Sequence, residues 1–149
     1  PLTSGFAASA EETLPEAWQR LFIGPWALPA PPWGSVYTDR ECVVFGEATL
    51  ALRAWMRRIG VARTTDERTP EDHIGLMLAL LAYLAEERPE LTDEYLRDHL
   101  LTWAPHYLEA LEEAADHPFY QGLAALTRST LLGLQEARGL EVVTPRFYR

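Results

Sequence analysis

Asp72 and His73, side by side, form the one acid–base candidate in the chain. A carboxylate beside an imidazole can orient a catalytic base. Neighbours on a helix, however, point about 100° apart and do not face each other. The competing reading is a helix cap at Asp72 with His73 turned to solvent. Other reactive chemistry is thin. His99 and His106 stand seven residues apart, two helical turns or about 10 Å, too far to share a metal along one helix. Cys42 is the only cysteine, which excludes an internal disulfide and fits a reducing compartment. It has no adjacent base in sequence. Neither a glycine-rich phosphate loop nor a Cys/His cluster with metal spacing is present.

The second feature with functional potential is a surface for binding. The stretch GPWALPAPPWGSVY, Gly24 to Tyr37, has four prolines and two glycines, yet it also carries Trp26, Leu28, Trp33, Val36 and Tyr37. Its composition predicts an irregular loop over residues 24–40, long for a compact domain. Such a loop can lie over the helices and plug the core with its aromatics. Alternatively, prolines restrict the free loop and aromatic side chains supply contact area, which describes a preorganised apolar groove for a peptide.

Helices must position both features. A capping box at Thr13 to Glu16 predicts a first helix with Trp18, Leu21 and Phe22 on one face, ended by Gly24-Pro25. A second helix is predicted from Glu47 to Ile59, stopping at Gly60. Thr69, Pro70, Glu71 and Asp72 read as the N-cap and acidic first turn of a third, which Pro89 closes. Its apolar residues occupy several faces, which predicts a central helix. Further helices are expected from Thr92 to about Leu101, from Pro105 to Ala115 and from Pro118 to near Gly139. Val43 to Phe45 is strand-like but too short to build a sheet. The expected fold is an all-α, single-domain helical bundle with one long proline- and aromatic-rich loop.

Composition narrows the function. With 149 residues, 48% of them hydrophobic, the chain suits one globular domain. Thirteen basic against twenty-two acidic side chains give a net charge of −9. That argues against nucleic acid as the main partner and favours a basic one. The longest apolar run, near Ile74 to Ala85, is interrupted by Gly75 and falls short of the ~20 residues that span a bilayer. Pro1 is not an initiator Met, so residues upstream are expected.

Four segments, LPEAWQRLFIGPWALPAPPWGSVY, VVFGEATLALRAWMR, PEDHIGLML and HPFYQGLAALT, closely resemble the TorD/DmsD family of redox-enzyme maturation chaperones. The resemblance covers nearly the whole chain and is closest to the branch serving dimethyl sulfoxide reductase. It implies a cytoplasmic, all-helical, non-enzymatic protein without a resident cofactor. Its partner would be the twin-arginine leader of a molybdenum reductase catalytic subunit, held back from export until the cofactor is inserted. The twin-arginine translocase is a further implied partner. Members of full length have additional N-terminal helices, so residues 1–149 are expected to lack that part. By resemblance, Leu21, Phe22, Trp26, Pro32, Trp33, Gly46, Pro70, Asp72 and His73 match positions used in leader binding. On physical grounds the aromatic loop is expected to take the leader's apolar segment, with Glu71 and Asp72 facing its arginines. The alternatives are an enzyme using Asp72 and His73 in an aromatic cleft, or a branch serving nitrate or trimethylamine N-oxide reductase.

Overall fold

Where a cap residue has no stronger partner elsewhere, the helices begin as their local sequence dictates. The structure, a computed structural model, describes residues 11–64 and 68–149. Thr13 closes the expected capping box: the Glu16 N–H donates to its hydroxyl at 3.4 Å and its own N–H donates to the Glu16 carboxylate at 2.9 Å. Helix α1, Leu14–Trp18, then widens into a π-helical turn, Gln19–Ile23. Gly24 ends it with φ of 107°, in a region that glycine alone enters without strain. The peptide bond from Gly24 to Pro25 is cis.

The proline loop is shorter than its composition predicts, because a one-turn helix, α2, forms at Gly34–Thr38. Helix α3, Glu47–Ile59, has the predicted bounds and stops at Gly60, whose φ is 76°. The third predicted helix is the main correction. It starts not at Pro70 but at Ile74, giving α4 as Ile74–Glu87. His73 is its N-cap, accepting the Gly75 N–H on Nδ1 at 3.0 Å. Asp72 is drawn to another element, and the His73 N–H closes a turn onto the Pro70 carbonyl at 3.2 Å. Nor is α4 sheathed all round. Ile74, Met77 and Leu84 are its buried residues, whereas Tyr83 is 44% exposed. Residues 65–67 of the predicted polar connector lie outside the described residues.

Beyond α4, a 3₁₀ turn at Pro89–Leu91 leads into α5, Thr92–Tyr95, and a π-helical turn, Leu96–Leu100. Thr92 therefore opens α5 from inside rather than capping it. Helices α6, Ala104–Ala114, and α7, Pro118–Ala137, match their predicted spans closely. The described residues are all-helical, with a single isolated antiparallel bridge between Trp33 and His73. No helix among them is long and apolar enough to cross a membrane.

The chain divides into two compact units. One comprises the chain up to Pro32 together with Ala104–Gly139. In it α6 and α7 pack together, burying Tyr107, Leu108 and Leu111 from α6 and Tyr120, Ala124 and Leu131 from α7. The other comprises Trp33–Trp103 and Leu140–Arg149. Its centre holds Tyr37, Leu52, Trp55, Met77, Leu84, Tyr95 and Trp103. Here Tyr37 stacks on Trp103 and Trp55 on Tyr95, with centroids 6.3 and 5.5 Å apart.

Candidate peptide-binding site

Five of the sequence-predicted site residues, Trp33, Gly46, Pro70, Asp72 and His73, fall in the second unit. A buried hydrogen-bond network organises them. Asp72 is 1% exposed. One of its carboxylate oxygens accepts the Ser35 N–H at 2.8 Å and the other the Thr49 hydroxyl at 2.7 Å. The Ser35 and Thr49 hydroxyls lie 3.0 Å apart, and the Thr49 N–H donates to Ser35 Oγ at 3.3 Å. With the Thr49 proton given to Asp72, Ser35 is left to donate to Thr49, which satisfies every member. Asp72 thus caps the first turn of α2 from 37 residues away.

The backbone reinforces this join. The Gly34 N–H donates to the Asp72 carbonyl at 3.2 Å, closing the bridge that sets Trp33 beside His73. Their rings meet edge to face with centroids 5.3 Å apart. Gly34 has to be glycine, because a Cβ there would lie 2.8 Å from the indole of buried Trp103. Gly46, just before α3, has its Cβ direction filled by the Asp39 carboxylate at 2.6 Å. The network therefore fixes a surface pair, Trp33 and His73, on a rigid base. The Trp33 indole N–H is buried and has no hydrogen-bond partner among the described residues.

This geometry revises the expected division of labour. A buried carboxylate with both oxygens engaged cannot also face a leader arginine, and in the same way it does not orient His73 as a catalytic base. Glu71 is engaged too, with Arg53 Nε at 2.6 Å. Burial alone would raise the Glu71 carboxyl, but the Arg53 guanidinium, with Arg63 adding a smaller share, brings it below the ordinary carboxylate range.

Leu21, Phe22, Trp26 and Pro32 belong to the first unit. Leu21 is fully buried and Pro32 is buried, whereas Trp26 is 83% exposed. Phe22 bridges Trp18 and Tyr120, with centroid distances of 4.8 and 5.4 Å. Sequence reasoning missed Ser35 and Thr49, which touch no predicted pattern. Among the described residues, no group of three or more His, Cys, Asp or Glu could hold a metal ion.

A family profile described as nitrate reductase delta subunit matches residues 2–109. The Tat proofreading chaperone DmsD of Salmonella typhi is 47% identical over 150 residues, covering 100% of this chain and 74% of that protein. A DmsD-type protein of Haemophilus influenzae is 50% identical over 148 residues, covering 99% of this chain and 73% of its own length. The chain belongs to the TorD/DmsD family. A more distant member, the chaperone TorD of Vibrio vulnificus, is 25% identical over 118 residues, which is 71% of this chain and 55% of TorD. The fold agrees. A solved structure of a redox enzyme maturation protein from Archaeoglobus fulgidus gives a TM-score of 0.62 at 24% identity, covering 88% of this chain and 73% of the other. The relatives named here are chaperones, not enzymes.

Proposed function

We propose that this protein is a cytoplasmic proofreading chaperone that binds the twin-arginine leader of a molybdenum reductase, of the dimethyl sulfoxide reductase type. Holding the leader would keep the precursor from the translocase until cofactor insertion and folding are complete. The observation that carries this reading is 47% identity to a Tat proofreading chaperone along the entire chain. Physical features support it. The Trp33–His73 pair presents aromatic surface on a base that the Asp72 network holds rigid, so little entropy is lost when a peptide docks. Trp26, at 83% exposed, offers apolar surface that the fold itself does not use. The net charge of −9 attracts a basic peptide.

Asp72, Pro70 and Gly46 contribute to binding by shaping this surface. Leu21 and Pro32, buried in the first unit, do so by holding the segment that carries Phe22 and Trp26. With Asp72 and Glu71 committed internally, the leader's arginines fall to Asp39 and Glu41, on the segment leading into α3, and to Glu47 in its first turn. The experiment is isothermal calorimetry with a synthetic twin-arginine leader, followed by mass spectrometry of the recovered peptide. Saturable binding with the peptide unchanged supports the chaperone. A chemically altered peptide would establish an enzyme instead.

A further inference from the structure

Residues 140–149, Leu-Glu-Val-Val-Thr-Pro-Arg-Phe-Tyr-Arg, form no helix, strand or turn, and six of the ten are exposed. They nevertheless belong to the second unit, the one that carries the Trp33–His73 pair. The Tyr148 N–H donates to the Tyr37 carbonyl in α2 at 2.8 Å. The Cys42 thiol donates to the Tyr148 carbonyl at 3.5 Å. Both backbone polar groups of Tyr148 are thus held, one by α2 and one by the loop of residues 39–46. Arg146 folds over the Tyr148 ring, its guanidinium carbon 5.2 Å from the ring centroid.

The receiving surface is unusual in its backbone. Cys42 and Phe45 both adopt positive φ, 52° and 68°, a conformation costly for bulky side chains and concentrated where chains bind ligands. The same loop carries Asp39, which fills the space beside Gly46, and Glu41. At the other end of α2 sit Gly34 and Ser35, which the Asp72 network holds. One short helix therefore joins the docked segment to the Trp33–His73 pair.

The segment's chemistry is that of the ligand. Arg146 and Arg149 flank Phe147 and Tyr148, after the apolar Leu140, Val142 and Val143, and its net charge is +1 in a chain of −9. We propose that residues 140–149 are a built-in competitor: they cover the surface of α2 and the 39–46 loop that carries Asp39 and Glu41, and an incoming basic, apolar leader displaces them. The proposal rests on the leader-binding reading above. Its consequence is a threshold, since a weakly basic or poorly apolar peptide cannot expel the segment. Displacement is inexpensive, because the segment has no secondary structure to lose and Val143 is already 85% exposed.

The test compares wild type with a variant ending at Gly139 and with Tyr148→Pro, which removes the N–H given to Tyr37. Leader affinity is measured by calorimetry, and hydrogen exchange of residues 140–149 is followed with and without saturating twin-arginine peptide. If the segment covers this surface most of the time, freeing the site tightens binding by about three- to tenfold. Exchange in residues 140–149 of wild type accelerates when the leader binds. Tyr148→Pro, a single change in an exposed segment, keeps the test open should the shortened variant misfold. Equal or weaker affinity in a folded variant, or unaltered exchange, overturns the competitor while leaving the leader-binding reading intact. Absence of leader binding by all three proteins overturns both.

Discussion

Replacing Asp72 by alanine removes the acceptor of two buried donors, the Ser35 N–H at 2.8 Å and the Thr49 hydroxyl at 2.7 Å. A buried donor left without a partner costs about 1–3 kcal/mol. The Thr49 hydroxyl has a refuge, since Ser35 Oγ lies 3.0 Å away. The Ser35 N–H has none of comparable geometry. Removing a buried charge also returns some desolvation energy. The net expectation is a loss of about 2–3 kcal/mol. Asparagine behaves differently. Its carbonyl can keep the Ser35 N–H while its amide donates to Thr49, whose proton then turns to Ser35, so Asp72→Asn should cost about 1 kcal/mol. Urea unfolding of wild type and both variants reads these values directly, and a domain stable by about 5 kcal/mol or more survives either change. Thr49→Val combined with Asp72→Ala should cost less than the sum of the single changes, because both disrupt one network. Additive losses, or an alanine variant within about 0.5 kcal/mol of wild type, would show that the network does not hold α2 against the Pro70–His73 turn.

Two further predictions follow from the second unit. Gly34→Ala sets a methyl 2.8 Å from the Trp103 indole and should destabilise by about 1–3 kcal/mol, visible as a lower Tm; an unchanged Tm would mean that Trp103 can move. Burial holds His99 below its ordinary value of 6.5, with Asp98 and Glu94 opposing the shift and Arg58 reinforcing it. The unfolded chain then binds the proton first, so His99's contribution is full above pH 6.5 and declines as pH falls from there through the lower folded value. His99→Gln should flatten that part of the stability–pH curve, and an unchanged slope would refute it.

Much of the helical fold was readable because local chemistry and tertiary structure agree. Thr13 with Glu16, and Gly60 after Ile59, specify their helix ends without help from distant residues. Leu21 and Trp26 show the limit of the periodicity argument. The π-helical turn at Gln19–Ile23 helps bury Leu21, while Trp26 stays outside, and nothing in their spacing distinguishes core from surface. The start of α4 failed for a different reason. Thr69-Pro70-Glu71-Asp72 is a good helix opening in isolation, but the Asp72 carboxylate finds Ser35 and Thr49, 37 and 23 residues away. A contact at that separation leaves no trace in periodicity or capping signals. The same blindness hid α2, whose first turn is capped by Asp72 and not by its own neighbours.

Calorimetric titration of a twin-arginine leader into wild type and Trp33→Ala tests the leader-binding surface most directly. The Trp33 ring lies against His73, outside the interior of any helix, so the substitution should leave the helical circular dichroism intact. Affinity should fall by about 2 kcal/mol or more, roughly thirtyfold, as it does at an aromatic hot spot. Equal affinity in the two proteins, or loss of the helical signal in Trp33→Ala, would contradict the account and make Trp33 a packing residue.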